Sequence, residues 1–175
     1  ILAPMPCMPI YFWNDFNNKK YFDSYFDKYH GVWSHGDWIK ITRHDGVIMF
    51  GRSDATLNRG GVRIGTAEIY NVSNKTGGVF DSLVICVDHE NGVSDMLLFV
   101  QLENGILGDE LIAKIKHALR KQYSPRHVPD QIFQVEEIPY TLSGKKLELP
   151  IKKIFSGVPV DKAINRCYAK SGITG

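Results

Sequence analysis

The chain has 175 residues, 43% of them hydrophobic and 23% charged, with a formal net charge of +2. That is enough for one moderate domain, or for a small domain of about 110 residues plus a piece of another. The opening ILAPMPCMPIYF carries three prolines and no basic flank, and no apolar run reaches the ~18 residues of a membrane span, so neither a transmembrane helix nor a signal peptide is expected.

The first segment, to about residue 50, is rich in aromatic residues and punctuated by Gly31, Gly36 and Gly46. Ile10 to Trp13, Trp38 to Ile41 and Val47 to Phe50 read as strands, with His44-Asp45-Gly46 as a hairpin-like turn. After it, Thr66 is placed to cap a helix through its hydroxyl, Glu68 suits the positive helix end, and Ile69, Val72 and Thr76 follow on one face. SLVICV and MLLFVQL are continuous apolar runs separated by the polar loop Asp88 to Asp95, the pattern of paired, well-buried strands. From Asp109 to Gln122, Leu111, Ile112, Ile115, Ala118 and Leu119 form one stripe while Lys114, Lys116 and Lys121 face away, which predicts an amphipathic helix ended by Ser124-Pro125. Gln131 to Val135 reads as a strand, Thr141 to Lys146 as a glycine-containing hairpin loop, and Leu149 to Phe155 as a short helix. Together these predict an α+β domain of about three strands with helices packed beside them.

Cys7, Cys86 and Cys167 are odd in number and far apart, which fits neither a disulfide framework nor a zinc pattern. Cys86, inside SLVICV, is expected to be a buried small hydrophobe. The histidines show no HxxxH or HExxH spacing, so no metal site is expected. Residues 145 to 170 hold seven Lys or Arg against Glu148 and Asp161, but no nucleic-acid motif accompanies them and no nucleic-acid partner is expected.

Chemistry concentrates in residues 51 to 68, GRSDATLNRGGVRIGTAE. Arg52 and Arg63 carry guanidinium forks suited to phosphate or carboxylate oxygens, and Gly60, Gly61 and Gly65 are expected to allow positive φ and close approach to a ligand. A phosphorylated compound is therefore the expected ligand class. No GxxxxGK[ST] loop exists, because Pro139 stands five residues before Gly144.

This run resembles the hinge motif of the adenylate-forming superfamily, which includes acyl-CoA synthetases, luciferases and the adenylation domains of peptide synthetases. His35-Gly36-Asp37, fifteen residues before Arg52, resembles the family's Thr-Gly-Asp element, and Ser143-Gly144-Lys145 resembles the end of its C-terminal lysine motif. Pro139-Tyr140-Thr141 stands where that motif begins Pro-Lys-Thr. Pro4-Met5-Pro6, Met8-Pro9, Phe12 to Asp15, Trp33 to Asp37 and Asp54 to Arg59 resemble the acetoacetate-CoA ligases in particular; Gly65 to Ile69 is shared with acetyl-CoA and propionyl-CoA synthetases.

The resemblance implies an enzyme that uses ATP, with accompanying Mg2+, to form an acyl-adenylate, then rotates a small C-terminal lid so that coenzyme A attacks to give a thioester. Residues 1 to 52 would end the large N-terminal AMP-binding domain, contributing its last β-strands, 53 to 157 would form the lid, and 158 to 175 a peripheral tail. An initial Ile suggests a fragment, with the missing N-terminal domain as its partner and no complete activity alone. It would be cytosolic. By the same resemblance, Lys145 orients the reactants of the first step, Asp37 takes the ribose hydroxyls, Arg52 reaches the nucleotide, Arg63 lies near the phosphates and Asp54 is the hinge. Gly60 and Gly61 would border the pantetheine passage, and Arg120, twenty-five residues before Lys145, would meet the phosphates of coenzyme A. His35 is compatible with a place in the nucleotide pocket or with packing beside Trp33. Two other functions remain compatible with the sequence: another short-chain acyl-CoA synthetase, and a non-catalytic module that keeps the lid fold.

Overall fold

The computed structural model describes residues 1–59, 61–89 and 93–164. They divide into two compact units, Ile1–Asp37 and the chain from Trp38 onward.

In the first unit, the helix α1, Lys19–Tyr25, presents aromatic residues at helical spacing. Tyr21 meets Phe12 and Tyr25 edge to face with ring centroids 5.7 and 5.5 Å apart, and Trp33 stacks on Tyr25 at 4.0 Å. Stacked and edge-on rings of this kind supply much of the cohesion of a segment with few aliphatic residues. The strand expected at Ile10 to Trp13 is absent: Pro9 precedes it, Asn14 turns it with φ 58°, and Phe12 joins the aromatic cluster in place of pairing.

The second unit begins with a two-stranded sheet of β1 (Asp37–Ile41, which starts on the last residue of the first unit) and β2 (Val47–Arg52), turned through Asp45 at φ 57°. A second hairpin, β3 (Leu57–Arg59) and β4 (Val62–Ile64), sets Asn58 opposite Arg63. Helix α2, Thr66–Ser73, follows. Its N-cap is Gly65, not Thr66 as expected; the Glu68 carboxylate accepts the Gly65 N–H at 2.8 Å, so the acid three residues in supplies the cap.

Strands β5 (Val79–Asp88), β6 (Ser94–Leu102) and β7 (Gln131–Val135) form the main sheet in that order. β5 and β6 are antiparallel, whereas β7 runs parallel to β6 and is reached through helix α3, Asp109–Gln122. Apolar residues on both faces of β5 explain its unbroken hydrophobic run. Val84 and Cys86 join Leu98 and Val100 under Ile69 and Val72 of α2 and Ile115 and Leu119 of α3. On the other face, Leu83, Ile85 and Val87 pack with Leu97 and Ile138, and with Ile151 of helix α4, Glu148–Phe155. A one-turn helix α5, Val160–Ala163, ends the described chain with Ala163 and Ile164 buried. Cys167 lies outside the described residues.

Candidate functional site

The turn that carries Lys145 is built by its own sequence. Gly144 has φ 78°, a conformation that Cβ disfavours in other residues. Gly144 N–H donates to Thr141 O at 2.9 Å, Thr141 N–H to Lys145 O at 2.7 Å, and Lys145 N–H to the Thr141 hydroxyl at 3.0 Å. Below the turn, Tyr140 and Lys146 face each other across an antiparallel bridge. Lys145 is exposed, and its ammonium makes no hydrogen bond or ion pair among the described residues.

Lys146 is turned the other way. Its ammonium donates to Asp81 Oδ1 at 2.6 Å and to the Ser82 carbonyl, and lies 4.0 Å from the centre of the Tyr70 ring. Tyr140 donates its hydroxyl to the other Asp81 oxygen, and Asn74 Nδ2 donates to Oδ1 at 3.0 Å. Burial alone would raise the Asp81 carboxyl, but the Lys146 ammonium and the Tyr140 hydroxyl outweigh it and hold the group below its ordinary value. Burial, then the bond to Asp81, raises the Tyr140 hydroxyl. Alongside, Tyr70 donates to Glu148 Oε1 at 2.6 Å and accepts the Val84 N–H at 3.2 Å. Burial raises the Glu148 carboxyl against the pull of the Tyr70 and Thr66 hydroxyls, and Asp54 adds to the rise. No spacing in the sequence marked Asp81, Tyr70 or Glu148.

At the hinge segment, Arg52 donates Nε to Asp54 Oδ1 at 3.3 Å and a terminal nitrogen to Oδ2 at 3.4 Å. Both side chains are nearly half exposed, so this long fork contributes no more than about 1 kcal/mol. Asp54, Thr56 and Leu57 line a shallow cleft with Cys86, Glu148 and Lys152. Close packing brings the start of α2 against β2: a Cβ on Gly51 would stand 2.8 Å from Thr66 Oγ1, and one on Gly65 would overlap Phe50. Gly65 has φ −77°, so its value is space, not the positive φ expected from sequence. Gly61 does have φ 77°, with open space where a Cβ would go. Gly60 lies outside the described residues.

Arg63 is exposed on β4, and Arg120 is exposed in the last turn of α3, where a cation also complements the helix dipole. Arg59, part of the Asp54 to Arg59 run but assigned no role from sequence, ties the β3–β4 hairpin to the entry of β7 by donating to Val128 O and, at 2.5 Å, to Asp130 Oδ1. Asp37 belongs to the first unit, where its carboxylate contacts His35 Nδ1. Burial raises the Cys86 thiol to about 11, against a weaker opposing pull from Lys152. Such a thiol is a packing group and not a nucleophile. Among the described residues, no group of three or more His, Cys, Asp or Glu could hold a metal ion.

No protein-family model matches the chain. It is 45% identical over 161 residues to the acetoacetyl-CoA synthetase of Danio rerio, an alignment that takes in 91% of this chain and 24% of the relative. With the acetoacetyl-CoA synthetase of Caenorhabditis elegans it shares 48% over 168 residues, 93% of this chain and again 24% of the relative. Among solved structures, acetoacetyl-CoA synthetase from Streptomyces lividans superposes with a TM-score of 0.88 at 44% identity, covering 97% of this chain and 25% of that one. The anthranilate CoA ligase AuaEII, solved with anthranoyl-AMP, shares the fold with a TM-score of 0.69 at 21% identity, covering 88% of this chain and 28% of its own. The chain thus spans about a quarter of the length of the curated relatives it matches. With identity at this level across most of its residues, the chain belongs to the acetoacetyl-CoA synthetase family of adenylate-forming enzymes.

Proposed function

We propose that this chain is the C-terminal part of an acetoacetate-CoA ligase, residues 53 to 157 being the lid that serves both half-reactions, 1 to 52 the end of the N-terminal domain and 158 to 175 peripheral. The observation that carries this is the lysine turn: a glycine in the left-handed conformation lets the chain turn tightly with the Lys145 side chain exposed, while the ammonium of its neighbour Lys146 is folded away. Attack of a carboxylate on the α-phosphate of ATP brings negative charges together, and a protruding, positionable cation stabilises that approach. Lys145 would hold carboxylate and phosphate oxygens in line and neutralise charge as the carboxylate bonds to the α-phosphorus and pyrophosphate leaves it, the adenylyl group passing to the acid.

For the second half-reaction, Gly61 offers the backbone bare where the pantetheine chain of coenzyme A would pass, Gly60 is assigned the same role, and Arg120 is assigned to the coenzyme's phosphates. Asp37 and Arg52 are assigned to the nucleotide and Arg63 to its phosphates. Asp54 is assigned as the pivot, since a long, half-exposed fork to Arg52 is weak enough to break and re-form as the lid turns. The Mg2+ that accompanies ATP has no evident ligand set among the described residues, so we assign it none here. A cytosolic enzyme fits best; no described helix is long and apolar enough to cross a membrane.

In the full-length enzyme, Lys145→Ala should abolish pyrophosphate release from ATP and acetoacetate, yet largely spare thioester formation from supplied acetoacetyl-adenylate. Equal loss of both steps would overturn the assignment. The 175-residue chain alone, given ATP, acetoacetate and coenzyme A, should release no pyrophosphate.

A further inference from the structure

We propose that Asp81 is a positioning residue for the first half-reaction, acting on Lys145 by clipping both stems of its turn to β5; this rests on the role given to Lys145 above. Residues directly opposed across an antiparallel bridge send their side chains to the same face. Tyr140 and Lys146 are such a pair, and they use the two oxygens of one carboxylate. The next residue along the stem, Lys145, must then project from the other face. Clamping Tyr140 and Lys146 to one point fixes the height and tilt of the five-residue turn between them, and with it the direction of the Lys145 side chain.

Three further observations support the clamp. β5 is irregular just before Asp81, its register with β6 shifting between Val79 and Asp81, and bulges of this kind re-aim the residue that follows. Asp81 and Ser82 are buried, so the anchor point is set within the packed sheet and not on a mobile rim. Lys146 also covers the outer edge of β5, where Ser82 O accepts from it beside the Val84 N–H that donates to Tyr70. Where the family motif has Lys after Pro139, this chain has Tyr140, whose hydroxyl reaches Asp81. The ammonium needed to balance that carboxylate comes from Lys146.

A merely structural clamp and a positioning clamp differ in what they do to the two half-reactions. Lys145 acts in the first only, whereas a damaged lid impairs both. Misplacing a reacting group by about 1 Å costs on the order of 100-fold. In the full-length enzyme, Asp81→Asn and Lys146→Met should therefore slow pyrophosphate release from ATP and acetoacetate by ~10- to 100-fold, with a smaller loss for Tyr140→Phe. Thioester formation from supplied acetoacetyl-adenylate should be largely kept. Asp88→Asn breaks another carboxylate-ammonium pair on β5, the 2.8 Å contact with Lys152, and should spare both steps.

Wild-type pyrophosphate release in Asp81→Asn and Lys146→Met, beside its loss in Lys145→Ala, would overturn the inference and leave the role of Lys145 standing. A parallel fall of both steps in these variants would also overturn it, by showing a structural role alone. Retention of pyrophosphate release in Lys145→Ala would instead defeat the underlying assignment. Should Asp81→Asn not fold, Tyr140→Phe, which removes one hydroxyl, and Lys146→Met decide the matter.

Discussion

Lys145 and Lys146 are neighbours in the chain and opposites in environment: the first ammonium is in solvent, and the second is held by Asp81, the Ser82 carbonyl and the face of Tyr70. An acylating reagent needs access and an unengaged amine. Under limiting acetic anhydride, with site occupancy read by mass spectrometry, Lys145 should be acetylated well before Lys146. Equal labelling in the folded chain would show that the clamp on Lys146 does not exist in solution. Asp81→Ala should bring the two rates together, because it removes the carboxylate that retains the second amine.

Two carboxyls near that lysine move in opposite directions, and the sign of each can be worked out. Asp81 is held below its ordinary 3.8 by Lys146 and Tyr140 despite burial, so its contribution to stability is present above that value and is lost as pH falls through the lower, folded one. Glu148 is raised above 4.5, chiefly by burial. Its ionised form is therefore penalised in the fold, and stability declines as pH rises from 4.5 through the raised value. Glu148→Gln keeps an acceptor for Tyr70 without the charge. The variant should gain in thermal midpoint relative to wild type at neutral pH, with the gain vanishing as pH drops below 4.5. A constant difference across pH would show that Glu148 does not titrate as its surroundings dictate.

Much of this architecture is legible in the residues because burial leaves a periodic trace. The five-residue stripe predicted helix Asp109 to Gln122 with the bounds that α3 has, and the continuous apolar runs predicted β5 and β6. Ile10 to Trp13 has strand-favouring side chains but no partner strand: the Phe12 ring packs into the aromatic cluster, while Ile10, Tyr11 and Trp13 stay exposed. α1 was overlooked, although Tyr21 and Tyr25, and Phe22 and Phe26, stand four apart and touch. The glycine turn beneath Lys145 was legible from Ser143-Gly144. Its anchor was not: a lone aspartate inside a strand has no spacing signature, and its partners lie seven to sixty-five residues away.

The core offers a plain test of which face carries the stability. Leu98 and Ile115 are fully buried between the sheet and the helices α2 and α3, whereas Phe133 on β7 is 40% exposed. Leu98→Ala or Ile115→Ala should each cost about 2–5 kcal/mol in chemical unfolding, from lost burial and the cavity left behind. Phe133→Ala should cost clearly less. A comparable loss at Phe133 would mean that its exposed ring is covered in solution.

Two glycines in the hinge-to-helix stretch should fail for different reasons. A methyl group on Gly65 would run into the backbone of Phe50 and come within 2.7 Å of its Cβ, so Gly65→Ala must separate β2 from α2 and shift the Gly51-Arg52 segment leading to Asp54. Gly61 has free space around it, and its cost is the left-handed backbone, about 1 kcal/mol for a residue with Cβ. Gly65→Ala should therefore lower the thermal midpoint strongly and, in the full-length enzyme, depress both half-reactions. Gly61→Ala should lower the midpoint only slightly but raise the KM for coenzyme A, because the added methyl narrows the passage proposed for pantetheine. An unchanged KM for coenzyme A in Gly61→Ala would remove this hairpin from the coenzyme site, whatever happens to stability.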